Sequence, residues 1–243
     1  MVENNLTGKT PVIGVVLLCR YSSSRLPGKI FMDIEGQPVI SYIFERILSV
    51  VDKQNFCVAT SVEPADDSIA GYCRSQNVRV FRGSLQNVAD RFLQAALTAN
   101  WDYAVRINGD NLFVETDVMR HLMQLAASGQ YDFLSNTHNK TFPQGMSVEI
   151  VNTAFFRKAY KNFRVPEDFE HITYFFHNNK AGRFFYYDNE SCPEARGLKF
   201  AIDEQKDLDL CRQLMASMKA SHLQYKMKEI VQLYKTIQHD VDA

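Results

Sequence analysis

Ten residues near the start of the chain carry its densest chemistry: Arg20-Tyr-Ser22-Ser23-Ser24-Arg25-Leu-Pro-Gly28-Lys29. Three cations, three adjacent hydroxyls and a glycine follow directly on the apolar run Val12–Cys19. In such a loop backbone amides can point at phosphate oxygens while Lys and Arg neutralise their charge. The plainer alternative is a polar surface loop, but its place after a buried strand favours phosphate. The spacing is neither Gly-x-Gly-x-x-Gly nor Gly-x-x-x-x-Gly-Lys-[Ser/Thr], which demotes dinucleotide oxidoreductases and P-loop ATPases.

A buried strand must hold this loop in place. Pro11–Cys19 is apolar without alternation, the pattern of a strand covered on both faces. Pro38 suits the first turn of a helix, and Val39, Ile40, Ile43, Ile47 and Leu48 continue that helix to about Ser49. Similar patterning predicts strands at 56–60, 78–82, 103–107 and 131–135. Helices are predicted at 67–76, 87–99 and 116–128, the last with Thr116 as N-cap. The alternation predicts an α/β fold: a mostly parallel sheet covered on both faces, three-layer α/β/α, with right-handed crossovers. Past Asn136 it loosens into a strand at 146–151, an aromatic irregular stretch at 163–194, a resumed parallel strand at 198–202 and two closing helices. The chain, 1–243, reads as a single domain with an excursion at about 137–197. Ligands of open α/β sheets bind beyond the carboxyl ends of strands, where the 20–29 loop falls.

Composition bounds the partners. The 27 Lys+Arg against 28 Asp+Glu give a formal charge of −1, which argues against a protein that coats nucleic acid. A local cluster of cations for a small anion is compatible with that total. The longest apolar run, Val12–Cys19, is far short of the ~20 residues that span a bilayer, and Met1–Asn5 is acidic and polar, unlike a signal peptide. The five cysteines lack Cys-x-x-Cys pairing, so reduced thiols in a cytoplasmic protein are the expectation.

The loop Arg20-x-x-Ser23-x-Arg25-Leu-Pro-Gly-Lys29 resembles the signature of the cytidylyltransferases that make CMP-activated acidic sugars. The order of segments resembles the branch named after the spore-coat polysaccharide protein F, related to the CMP-KDO and CMP-sialic acid synthetases. Phe81-Arg82-Gly-Ser84, Asn87-Val-Ala-Asp-Arg91-Phe92 and Arg106-Ile-Asn-Gly-Asp110 carry the resemblance onward. So do Pro143-Gln144-Gly-Met-Ser-Val-Glu149, Glu170-His171-Ile-Thr173 and Ala201-Ile-Asp203-x-x-x-Asp207-Leu208.

The resemblance implies a Rossmann-like nucleotide-diphospho-sugar transferase fold, CTP and an acidic sugar as substrates, Mg²⁺ as cofactor and a homodimer. Carried over by motif, Arg20, Lys29 and Asp110 are catalytic, and Arg20, Ser23, Arg25, Lys29 and Arg82 hold the nucleotide. Asp110 and Asp203 hold the metal. Both aspartates are also expected at strand ends, and Mg²⁺ takes few protein carboxylates beside phosphate oxygens. Read alone, Asp203 fits a helix N-cap. Arg82 ends a strand and can face the triphosphate; Arg91, inside a helix, can instead pair with a carboxylate. The resemblance places Gln144, Glu149, Glu170 and His171 on the acceptor side, against the alternative of polar groups that satisfy backbone. Phe175, Phe176, Phe184, Phe185, Tyr186 and Tyr187 form either a sugar-stacking wall or, as aromatic clusters more often do, core or interface. One departure is Asn111-Leu112-Phe113 after Asp110, where the family has a small residue and proline.

The expected reaction transfers CMP from CTP to the anomeric hydroxyl of a 2-keto sugar acid, releasing pyrophosphate, for cell-surface glycan biosynthesis. Two alternatives stand beside it. A nucleotide-sugar-dependent glycosyltransferase needs Asp-x-Asp, present only as Asp207-Leu-Asp209 and Asp240-Val-Asp242. A non-catalytic nucleotide-binding paralogue draws its support from the altered turn at Asn111.

Overall fold

The computed structural model describes residues 10–179 and 181–242; the acidic start Met1–Asn5 lies outside them. The first strand, β1 (Ile13–Leu18), is followed by the phosphate-loop candidate, a small hairpin of β2 (Asp33–Ile34) and β3 (Gln37–Pro38), and α1 (Val39–Leu48). Then come β4 (Phe56–Ser61), α2 (Asp67–Ser75), β5 (Arg79–Gly83), α3 (Val88–Thr98), β6 (Tyr103–Asn108), α4 (Thr116–Ala127) and β7 (Phe133–Ser135). The remainder is β8 (Glu149–Asn152), α5 (Thr153–Tyr160), α6 (Pro166–Glu170), α7 (Tyr174–Asn178), β9 (Phe184–Tyr186), α8 (Gln205–Ala216) and α9 (Met227–Asp242).

Seven strands form one sheet in the order β5-β4-β1-β6-β8-β7-β9. The pairs β5–β4, β4–β1, β1–β6 and β7–β9 are parallel; β8 runs antiparallel between β6 and β7. The period of two is plain in β1. Val15 and Leu17 pack with α1 and α4, whereas Val16 and Leu18 pack under α3 and α5. With both faces covered, the strand has no polar face to show, which is why its sequence is continuously apolar. None of the helices among the described residues is long and apolar enough to cross a membrane. All five cysteines are buried and unpaired, and burial raises every thiol pKa.

Two expectations are corrected. The 198–202 segment forms no strand: it makes one isolated bridge, Lys199 to Gln144, and its Ile202 N–H donates to the Asp110 carbonyl (3.0 Å). It lies alongside the 143–145 turn, whose Gly145 (φ 96°) has no room for a Cβ, with Ala201 N 2.5 Å away. The N-cap of α4 is Glu115, whose carboxylate accepts from Asp117 N–H, rather than Thr116. The stretch at 137–197 returns to the sheet through β8 and β9. Of its aromatics, Phe176 is fully buried between Phe133, Phe155 and Phe156, Phe185 packs on Tyr131, and Tyr186 and Tyr187 stand half-buried on a cavity with Phe142.

Candidate active site

The loop after β1 is fixed at both ends. At its start, the buried carboxylate of Asp66 accepts from Tyr21 N–H (2.7 Å) and from the Ser61 N–H and hydroxyl at the end of β4. Burial alone would raise its pKa, but these donors hold it below the usual carboxylate value. At the far end Gly28 takes a left-handed conformation (φ 72°), and its N–H donates to Tyr21 O (2.9 Å). This closure turns Lys29 inward. Its ammonium donates to Ile202 O and lies 3.7 Å from Asp110 and 3.5 Å from Asp203.

The two aspartates therefore meet around one lysine, although 93 residues separate them. Gly109 permits the approach: a Cβ there would fall 2.5 Å from Cys19 Cβ, so any larger residue would wedge the ends of β1 and β6 apart. Asp203 does not cap α8; Glu204 occupies that position and Asp207 accepts from the N–H groups of Asp203 and Glu204. Released from capping, Asp203 pairs with Arg25 (3.0 Å), Lys29 and Lys199 (3.1 Å). Asp110 is less well matched. Its Oδ1 is buried without a hydrogen-bond partner; burial raises its pKa, Lys29 pulls it down and Asp203 pushes it up again. A carboxylate oxygen with no donor, facing a second carboxylate at a cationic cleft, is a fitting place for a divalent cation.

These side chains line a cleft of about 310 Å³ with Arg20, Ser23, Arg91 and the end of β1. Arg20 reaches across to Glu170 (3.4 Å), and His171 stands beside it. Arg91 is 2% exposed, donates to Ser84 O (2.6 Å) and has no carboxylate within ion-pair distance among the described residues; burial lowers its pKa. A second cavity of about 630 Å³ shares Asn108 and Asp110 with the first and is walled by Gln144, His138 and His177. Asp110 thus sits at the junction of two spaces.

Of the residues singled out from the sequence, Arg20, Ser23, Arg25, Lys29, Asp110 and Asp203 converge on the first cleft. Arg82 does not. Its guanidinium is spent on Ser61 O (2.8 Å), Glu63 O (2.9 Å) and Asp67 (2.6 Å), which ties β5 to the loop after β4. The acceptor-side candidates are split. Gln144 stands on the second cavity, whereas Glu170 and His171 stand on the first. Glu149 lines neither. It is 2% exposed and lies directly opposite Arg106 in the β6–β8 register, paired with it, and also accepts from Thr173 (2.7 Å), His177 (3.0 Å), Ser135 and Thr137. Burial alone would raise its pKa, but the His177 hydrogen bond and the Arg106 charge overcome it and hold the value near about 2.

Sequence reasoning passed over His177, His138, Lys199 and Asp66. None lies in a motif with regular spacing, so only their placement marks them. The altered turn is accommodated: Asn111 donates its side-chain amide to Ser147 Oγ (2.9 Å), and Leu112 and Phe113 enter the core. Asp207, the first carboxylate of Asp-Leu-Asp, is occupied by Lys199 and the start of α8.

The chain is similar to known proteins over most of its length. The family described as Cytidylyltransferase matches residues 14–236. The chain is 27% identical over 171 residues to the spore coat polysaccharide biosynthesis protein SpsF of Bacillus subtilis, covering 68% of this chain and 70% of that protein. It is 27% identical over 110 residues to the 3-deoxy-manno-octulosonate cytidylyltransferase of Escherichia coli, covering 45% and 44%. A solved cytidylyltransferase from Leptospira borgpetersenii superposes with a TM-score of 0.85 at 27% identity, over 96% of both chains.

Proposed function

The chain belongs to the cytidylyltransferase family and is a nucleotidyltransferase, and from that premise we propose that it moves CMP from CTP onto the anomeric hydroxyl of an acidic 2-keto sugar. The observation that carries the reading is the junction at Asp110: a cationic cleft sized for phosphates on one side and a second cavity, open to an acceptor, on the other. The names of the SpsF and octulosonate relatives supply the acidic sugar and the glycan setting.

In this reading Arg20, Arg25, Ser23 and Lys29 bind the triphosphate, and Lys29 and Arg25 neutralise the charge that accumulates on departing pyrophosphate. Asp110 and Asp203 would hold Mg²⁺, which when bound supplies electrostatic stabilisation of the phosphate oxygens. Arg25, Lys29 and Lys199 now neutralise Asp203 among themselves. Phosphate oxygens would compete for Arg25 and Lys29 and free that carboxylate for the metal. The acceptor enters from the second cavity past Gln144, so that its hydroxyl faces the α-phosphorus from the side opposite the leaving group.

The test is a pyrophosphate-release screen of four nucleoside triphosphates against octulosonic and nonulosonic acids, with and without Mg²⁺. CTP with one acidic sugar should give metal-dependent release. Release with a neutral sugar phosphate alone, or full activity in Lys29→Ala and Asp110→Asn proteins, would defeat the reading.

A further inference from the structure

The attacking hydroxyl must lose a proton, and the second cavity holds a group suited to take it. We propose that His177 is the general base for the acceptor hydroxyl, held in its working tautomer by Glu149. This deepens the function proposed above and rests on it.

His177, in α7, lines the second cavity together with Asn108 and Asp110, so its ring borders the space beside the reacting phosphate. Its Nε2 lies 3.0 Å from Glu149 Oε1. An ionised carboxylate only accepts, so Nε2 must carry the hydrogen and donate it. The lone pair is thereby placed on Nδ1. That atom has no hydrogen-bond partner among the described residues, and the His177 side chain is 27% exposed on the cavity wall. The orientation is rigid: Glu149 is fixed by Thr173, Ser135, Thr137 and Arg106, and the edge of Phe133 packs against the His177 ring at 5.6 Å.

The charges allow the role. Arg106 pairs with the same carboxylate, so the imidazole faces a pair that is neutral in sum. The other titratable groups on this side are Asp110 and Lys140 in the cavity wall, His138, from the loop after β7, whose ring lies parallel to His177 at 6.2 Å, and Tyr186 of β9, stacked on His138 at 3.9 Å. In the step, the acceptor O–H bond breaks and the proton passes to Nδ1 of His177. The oxygen bonds to the α-phosphorus, the bond from that phosphorus to the bridging oxygen breaks, and pyrophosphate departs with the electron pair. The imidazolium then returns its proton to solvent through the open cavity.

The experiment follows pyrophosphate release with CTP, Mg²⁺ and, as acceptors, 3-deoxy-manno-octulosonate and N-acetylneuraminate across pH. In His177→Gln, kcat should fall by about 10²-fold or more while KM for CTP stays within about twofold. The acid limb of kcat/KM should vanish in His177→Gln and persist in His138→Gln. Added imidazole should restore part of the kcat of His177→Ala, which a structural role would not allow, and CTP-induced thermal stabilisation reports that each variant is folded. A folded His177→Gln enzyme with near wild-type kcat and an intact acid limb removes His177 while leaving the reaction standing. A wild-type protein that binds CTP but releases no pyrophosphate with any acidic sugar defeats the reaction and this role with it.

Discussion

The two sides of Asp110 are built on opposite principles. On the side proposed for the nucleotide the ion pairs are exchangeable: Arg25 is 56% exposed, and Asp203 is shared among three cations, of which Arg25 and Lys29 can be drawn away by a phosphate. On the acceptor side the central charge is immobile. Glu149 is 2% exposed and accepts from five side chains, Arg106 of β6, Ser135 of β7, Thr137 in the loop after it, Thr173 at the N-cap of α7 and His177 within α7, leaving no lone pair to trade. The contrast assigns different work to the same chemistry. A carboxylate shared among long cations, one of them more than half exposed, is open to exchange with a ligand, whereas one saturated by five fixed donors is scaffold.

The sharpest way to break this contrast is Asp110→Asn. Loss of the unpaired buried carboxylate should cut kcat by about 10³-fold, while the thermal midpoint holds or rises because a poorly solvated anion has been removed. A large fall in midpoint would mean that Asp110 is structural after all. Glu149→Gln should do the reverse first. It leaves Arg106 buried without its counter-charge and should lower unfolding free energy by about 3–5 kcal/mol in a urea titration. The same residue gives a pH signature. Its pKa is lowered on folding, from 4.5 to about 2, so its stabilisation is complete above the ordinary value and is lost as pH falls through that window. Stability of the wild type should therefore drop between about 4.5 and about 2 more steeply than that of Glu149→Gln, with denaturation at each pH as the measurement.

Gly109→Ala probes the junction itself. The clash with Cys19 displaces Asp110 from Lys29, and a misplacement of this scale should cost about 10²-fold in kcat/KM with both cavities otherwise intact. The smallest effect is expected from Arg82→Ala. Because Arg82 ties down the loop after β4 and stands outside the cleft, KM for CTP should change by less than about twofold. A tenfold rise would return Arg82 to the nucleotide site.

Legibility followed sequence distance. The loop from Arg20 to Lys29 could be read directly, since its cations, hydroxyls and glycine are contiguous and follow a strand whose burial shows in its composition. The main-sheet strands and the helices up to 135 were legible for the same reason, each repeating its period over at least three residues of one element, whereas the two-residue strands β2 and β3 are too short to show one. The Leu198–Ile202 segment has strand-like residues, yet the place beside β6 is taken by β8, and it crosses the strand ends instead. Arg82 shares the residue type and strand-end position of a phosphate ligand. Only the carbonyls of Ser61 and Glu63, 21 and 19 residues away, show that it is engaged elsewhere.

The sequence by itself determined the α/β alternation and the cationic, hydroxyl-rich character of the loop after the first strand, for which local periodicity and contiguous charge suffice; Asp110 and Asp203 were singled out by motif resemblance. The tertiary structure alone decided that Asp203 faces Lys29 rather than capping α8, that Glu149 is a buried anchor, and that His177 borders the cavity beside Asp110. Each depends on pairings across 28 to 174 residues. Such pairings are set by strand register and by which element fills each edge of the sheet, and neither is written in the residues that finally touch.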